Sequence, residues 1–471
     1  MAIFDLVMAE RSKLQKFTEF TQALLPHETG YLLSIQHFDD KVKLAILQRI
    51  DHNCRHRQAF VPYDETVDKR KYSNLKRWIQ ERLQAIDVDA DYERLLQAER
   101  AIETDQIRPE TEEQLLERLR AATPQDYHFV KCYQVAQLYR HYLLIRMRYA
   151  EHRAVAAFLD RYQAAYTRAQ AVRERLHQAT QDIVCHYANP NAQSIQWEAE
   201  LAQLFHDETL DGWNRYMALV RLTFIYYNYR HLEPLREKYA ALDRLLLQGQ
   251  YYSRRLLINY YGNRLLLHVQ LKEYDEAEYY GYLSIRTKTA DYLHYVNNLC
   301  AVLLRRKKYD EALSVMKAAL PESRITHSFH NKIGFIALYL RCLTRMGRLS
   351  AAEQYADACL RAYRKEIFEH RWHAFFSAYL EVLILQRHYK RTLHLIKRYR
   401  LLERDQAYSA KSAYLPTIPL LYAFAARAEG LLNNQDLEHA IRHAQNLCAN
   451  QPEKAAQITS VLQDLREHLA V

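Results

Sequence analysis

Glycine is nearly missing from this chain. Its 471 residues hold 8, and none lies between Gly30 and Gly212. Hairpin turns, bulges and phosphate-cradling loops need backbone with positive φ, which glycine adopts at least cost. A glycine-free run of 181 residues, rich in Leu, Ala, Gln, Glu and Arg, therefore reads as helix. The same scarcity excludes G-x-G-x-x-G and G-x-x-x-x-G-K-[ST], which these glycines cannot spell. Paired cysteine is missing too. The seven cysteines are scattered, odd in number and form no C-x-x-C, which fits a reducing compartment. No window of 18 residues is free of both charge and proline. Ser412 to Ala426 comes nearest, but Pro416 and Pro419 interrupt it, so no membrane span is expected. Met1 to Glu10 carries Asp5 and Glu10 and lacks the basic-then-apolar plan of a signal peptide. The expectation is a soluble, cytoplasmic protein with no membrane contact.

Charge is present in both signs but unevenly placed. The net balance is +10, yet residues 301–400 alone carry 20 Lys and Arg against 8 Asp and Glu. The rest of the chain is close to neutral. A general nucleic-acid coat would spread its charge; here there is one basic region.

What the chain does have is repetition. Tyr274-Asp275-Glu276-Ala277 returns 35 residues later as Tyr309-Asp310-Glu311-Ala312. A fixed period in this range signals stacked helical hairpins. The register recurs less faithfully at Leu349/Ala352, at Tyr389 with Thr392, and at Leu437/Ala440. The small residue is thus spaced by 35, 40 and 40 over its first four occurrences, and Gly347 sits in one inter-helix turn. Trp213 to Tyr229 and Leu232 to Leu246 read as a further pair, with Pro234 in a first turn where proline is tolerated. Pro452 to Leu469 reads as a capping helix.

This pattern resembles the tetratricopeptide repeat over roughly residues 213–450, most closely over 259–320. Ala312 matches the small residue of helix B, Cys300 the small residue of helix A, and Tyr309 the aromatic that opens helix B. Arg264 and Gly281 depart from the family pattern, as do the 40-residue spacings, which ask for longer helices or turns. The resemblance implies an all-α protein: a helical N-terminal region followed by a right-handed superhelical array of helical hairpins. Asn189-Pro190-Asn191 is the clearest linker. It divides a helical domain over 1–188 from a repeat domain over 192–471. In the first part Trp78, Ile79, Leu83 and Ile86, and then Val130, Tyr133, Val135, Leu138, Tyr142 and Ile145, have amphipathic helical spacing. Arg153 to His186 reads as one helix or two.

In the tetratricopeptide family ligands lie in the groove lined by helices A. Carried over by register, that groove takes Leu266, Val269 and Gln270, then Asn297, Ala301, Leu304 and Arg305, then Arg341, Thr344 and Arg345, then Glu381 and Ile384. Its arginines suit a carboxylate-bearing peptide held by guanidinium forks. The lysines of the chaperone-clamp members are missing, which excludes that reading. Arg306, Lys307, Lys308, Arg348, Arg387, Lys390 and Arg391 all fall at the turn from helix A to helix B. Cations there complement helix C-termini, but four in a row exceed that need, and stacking aligns them into one basic edge. The leading expectation is a non-enzymatic interaction scaffold that binds a protein or peptide, acidic in character, in this groove. The alternative is a regulator whose N-terminal helices (Lys69-Arg70-Lys71, Lys76-Arg77) or basic edge contact nucleic acid while the repeats sense a partner.

Other residue types are read as structural. The 37 tyrosines suit helix-pair seams, where a ring is buried and its hydroxyl finds a partner. His327/His330, His370/His373, His439/His443 and His52-x-Cys54-x-His56 lack the further ligands that a zinc site requires, and no H-E-x-x-H or G-x-S-x-G occurs. No cofactor, no metal and no catalytic residue is expected. Cys300, Cys342 and Cys359 fall at small, buried places of the repeat.

Overall fold

The computed structural model describes residues 13–56, 59–188, 194–411 and 414–469. Every regular element among these residues is helical and none is a strand, so the fold is all-α. No described helix is long and apolar enough to cross a membrane. The chain forms two compact units, Ala2–Leu271 and Lys272–Val471. The linker expected at Asn189-Pro190-Asn191 and the segment Met1 to Glu10 lie outside the described residues.

The first unit opens with α1 (Gln15–Gln22), α2 (Pro26–Ile35), α3 (Lys41–Arg55) and α4 (Lys69–Ile86), which pack on one another. Aspartates start several of these helices. Asp40 accepts from the Val42 amide at 2.9 Å, and Asp68 and Asp87 serve α4 and the next helix in the same way. Each satisfies an N–H that the helix itself leaves open. Next come α5 (Val88–Glu103), α6 (Pro109–Ala121), α7 (Phe129–Ile145) and α8 (Tyr149–Ala188). Arg153 to His186 is therefore part of one helix of 40 residues. α7 and α8 form a long hairpin, its seam marked by Tyr133 stacked on Tyr166 at 4.2 Å, with the Tyr133 hydroxyl donating to the Leu159 carbonyl. A 3-10 turn over Ser194–Trp197 leads to α9 (Glu198–His206), α10 (Gly212–Tyr229), α11 (Leu232–Leu247) and α12 (Arg254–Gln270).

The first unit is closed by contacts between its beginning and its end. α2 packs on α11. His27 lies 2.7 Å from both the Tyr261 hydroxyl and the Asp243 carboxylate. Glu28 is wholly buried and accepts from the Tyr252 hydroxyl (2.7 Å), the Arg254 guanidinium (3.0 Å) and the Leu25 amide (2.8 Å). A carboxylate withdrawn from water is tolerated only with such a full set of donors. Arg255 pairs with Asp89 at 2.7 Å, and the Val88 amide donates to the Tyr252 carbonyl.

The second unit is a series of hairpins. Its helices are α13 (Tyr274–Ser284), α14 (Tyr292–Arg305), α15 (Tyr309–Ala318), α16 (Leu320–Ile325), α17 (Phe329–Arg345), α18 (Leu349–Ala362), α19 (Arg364–His370), α20 (Trp372–Leu385), α21 (Tyr389–Arg398), α22 (Leu401–Tyr408), α23 (Thr417–Ala428), α24 (Asn434–Cys448) and α25 (Pro452–Leu469). α14 and α15, α17 and α18, α20 and α21, and α23 and α24 pair as hairpins. The first helices α14, α17, α20 and α23 also touch in series, and each second helix α15, α18 and α21 packs on the first helix of the next pair.

Ala277, Ala312, Ala352 and Thr392 are each completely buried, as their shared register requires. At the last pair the register slips: Leu437 and Ala444 are buried, and Ala440 is not. The change of period from 35 to 40 has a simple cause. A short third helix, α16 or α19, stands between one pair and the next wherever the spacing is 40, and α22 repeats the device.

Every hairpin turn uses one backbone device. Lys307, Gly347, Arg387 and Gly430 all have φ between 59° and 73°. The residue after each donates back to the carbonyl five positions earlier: Lys308 to Leu303, Arg348 to Leu343, His388 to Leu383 and Leu431 to Ala426. These are Schellman closures, in which a left-handed residue lets the chain turn while satisfying open carbonyls. Met147, Arg230 and Asp105 do the same in the first unit. Glycine is the natural occupant, yet most of these sites hold a cation or another long side chain. That is how a chain with 8 glycines turns so often.

Candidate partner-binding face

The serial contact of α14, α17, α20 and α23 brings most of the groove residues expected from the repeat register into one unit. Asn297 on α14 is buried, and its amide donates to the Asn331 carbonyl of α17 at 3.0 Å, tying two first helices together. Ala301 and Arg305 are exposed further along α14, and Leu304 is half-buried. Arg305 lies over the Tyr274 ring, 5.6 Å from its centre. On α17, Arg341 and Thr344 are half-buried, and the Thr344 hydroxyl donates to the Leu340 carbonyl at 2.8 Å. Among the described residues no carboxylate forms an ion pair with Arg341. Gln270, Leu266 and Val269 belong to the unit Ala2–Leu271 and are described with it; Gln270 is exposed there.

The far end of the face differs. Arg345 of α17 lies between two carboxylates, Glu381 of α20 at 3.5 Å and Asp464 of α25. Glu381 and Ile384 are buried, where an open groove would leave them wet. Burial pushes the Glu381 carboxyl upward, and the nearby Arg345 and Arg341 only partly oppose that. The covering element is α25, which packs on both α24 and α20. The helix expected to cap the stack thus also reaches back along it. Asp464 was not legible as a site residue, because its partner Arg345 lies more than a hundred positions away.

The basic edge resolves into three roles. Arg306 pairs with Asp275 at 2.5 Å and with Glu278 at 2.8 Å, and Lys308 pairs with Glu278 at 2.6 Å. Arg391 pairs with Glu353 and, at 2.6 Å, with Asp357. In each case the cation of one hairpin turn meets the acidic second helix of the pair before it. Lys307 and Arg387 are instead the left-handed residues of their turns. Arg348 and Lys390 are exposed at the same edge. The run Arg305-Arg306-Lys307-Lys308 therefore combines an aromatic stack, three inter-hairpin ion pairs and a turn. The carboxylates Glu278, Glu353 and Asp357 are the residues that the sequence reading missed; their place on the preceding second helix was the available signal.

The remaining candidates fall in structural surroundings. Lys71 pairs with Asp40 at 2.9 Å, and the Lys76 ammonium lies over Phe20. His373 is buried 3.1 Å from Asp405, and Nε2 of His330 accepts from Arg371 at 2.9 Å. Among the described residues no group of three or more His, Cys, Asp or Glu is arranged to hold a metal ion. Cys300, Cys342 and Cys359 are buried, and burial pushes the Cys342 thiol up to about 12 and that of Cys359 up to about 11. Such thiols are poor nucleophiles.

No family model, no curated protein and no solved structure matches this chain.

Proposed function

We propose that Lys272–Val471 is a tetratricopeptide-like partner-binding scaffold, and that it holds an acidic segment of another protein on the face formed by its first helices. The observation that carries this reading is the serial packing of α14, α17, α20 and α23. Arg305 on α14 and Arg341 on α17 stand on helices that touch, and the edge cations Arg306, Lys308 and Arg391 pair with carboxylates of the scaffold itself. Guanidinium groups on a rigid helical surface favour carboxylates through paired N–H donors. The function is binding, without a chemical step.

Affinity capture from the source cell tests it. The double variant Arg305→Glu/Arg341→Glu should lose a partner that the wild-type protein and the edge variant Lys307→Glu/Lys390→Glu both retain. Arg345 is left intact, since reversing it would disrupt Glu381 and Asp464 inside the scaffold. Loss only in the edge variant, together with binding of DNA or RNA at low salt, would move the function to phosphate contact.

A further inference from the structure

α20 is covered almost all the way round: residues 375–384 are buried without a break, Glu381 and Ile384 included. The equivalent face of α14 leaves Ala301 and Arg305 exposed. The difference is α25. Its buried residues Ile458, Leu462 and Leu465 stand at i, i+4 and i+7, while Gln457, Thr459, Ser460 and Arg466 are exposed. That is one apolar stripe on a surface helix, the anchor pattern by which an amphipathic helix occupies a groove. Asp464 adds a carboxylate at i+6, and it reaches Arg345.

The seat is not ideal for α25. Arg345 must serve Asp464 and the buried Glu381 together, and Asp464 brings like charge toward Glu381. We infer that α25 is an exchangeable internal ligand of the partner face, and that the external partner at this end is an amphipathic helix of the same chemistry: apolar residues at i, i+4 and i+7 with a carboxylate at i+6. This deepens the reading above and rests on it only in using the first-helix face. Exchange makes the protein self-limiting. A partner binds only the fraction of molecules in which α25 has lifted, and its apparent affinity falls by that fraction.

The test uses the full chain and, as probe, a fluorescent synthetic peptide of residues 450–469. The variant Leu462→Asp/Leu465→Asp should release α25 and bind the peptide about 10–100-fold more tightly than the wild type, as expected for an open fraction of 1–10%. A peptide carrying Asp464→Lys should lose at least about tenfold of that gain. A folded releasing variant that binds no better than the wild type overturns the inference. Hydrogen exchange on the wild type decides the matter if the variant does not fold. Amides of α25 should exchange at least about ten times faster than those of α20, by local opening; equal rates would make α25 a fixed part of the core and overturn the inference. Because α25 pairs with Arg345 and packs on α20, the peptide reports on this end of the face, whereas cellular capture reports on Arg305 and Arg341. Peptide binding without their involvement in cellular capture would therefore sink the proposed function and leave this inference standing.

Discussion

The two units spend their charged groups differently. In the first, ionic groups close the fold across long stretches of chain: Glu28 meets Arg254, and His27 meets Asp243. In the second, the edge cations pair with carboxylates one hairpin away, as Arg306 does with Glu278 and Arg391 with Asp357, and Arg345 with Asp464 is the long-range exception. Glu28 is wholly buried and Arg391 is 42% exposed. A buried carboxylate that loses its partners retains its desolvation cost, whereas an exposed pair contributes about 0.2–1 kcal/mol. The first unit therefore depends on a few non-local contacts, and the second on many repeated local ones. Five substitutions probe that contrast.

The largest effect should come from the core of the second unit. Phe375→Ala removes a completely buried ring from α20 and should cost about 3–5 kcal/mol. Hydrogen exchange should show the lost protection centred on α17 to α23, fading toward α13; uniform loss over the unit would remove the local character claimed for it. Glu28→Ala should cost about 3 kcal/mol, because it leaves the buried Tyr252 hydroxyl and the Leu25 amide without an acceptor. Here protection should fall together in α2, α3 and α11, although these lie more than 170 residues apart in part. Loss confined to α2 would break the comparison.

A pH profile sharpens it. His128 is buried against Tyr92 and Tyr127, and burial pushes its imidazole down to about 4. Its contribution is intact above the ordinary histidine range and is lost as pH falls from about 6.5 through about 4. Asp211 acts in the opposite sense. Burial pushes its carboxyl up to about 6, so the stability linked to its protonation is present at low pH and is lost as pH rises through about 6. His128→Asn should remove ~2–3 kcal/mol of acid sensitivity near pH 4. The variant's stability, measured by urea unfolding, should then hold or rise as pH drops from 6 to about 4. A variant profile that tracks the wild-type profile between pH 6 and 4 would contradict the assignment.

The smallest effect tests the turns. Lys307→Gly relieves a left-handed residue at an exposed position and should stabilise the second unit by ~1 kcal/mol. Gly347→Ala should destabilise it by a similar amount. A Cβ at Gly347 would meet nothing within 4 Å, so backbone conformation alone sets that cost. Thermal melts of the pair should move in opposite directions.

How much was legible follows from the same contrast. Ala277, Ala312, Ala352 and Thr392 could be read in register because each hairpin imposes its closest contact at one fixed place, and all four are fully buried. The short helices α16 and α19 were visible only as five extra residues, with no strong period of their own. The edge cations were legible as a cluster, but their roles were not, since a left-handed lysine and a paired lysine look alike in sequence. The seat of α25 was hidden for a different reason. Ile458, Leu462 and Leu465 mark an apolar stripe, and a stripe does not say what it faces.

The sequence alone therefore determined that the chain is helical throughout its described residues and repetitive in its second part. Glycine scarcity, apolar periodicity and the recurring small residue act locally, and local rules leave local traces. Tertiary structure decided that Glu28 is buried under Arg254 and Tyr252, that the basic edge is largely an inter-hairpin seam, and that Asp464 sits on Arg345. Each of those joins residues distant in the chain or distinguishes identical side chains by backbone conformation. Only the packed chain brings such groups within the few ångströms at which charge and hydrogen bonding act.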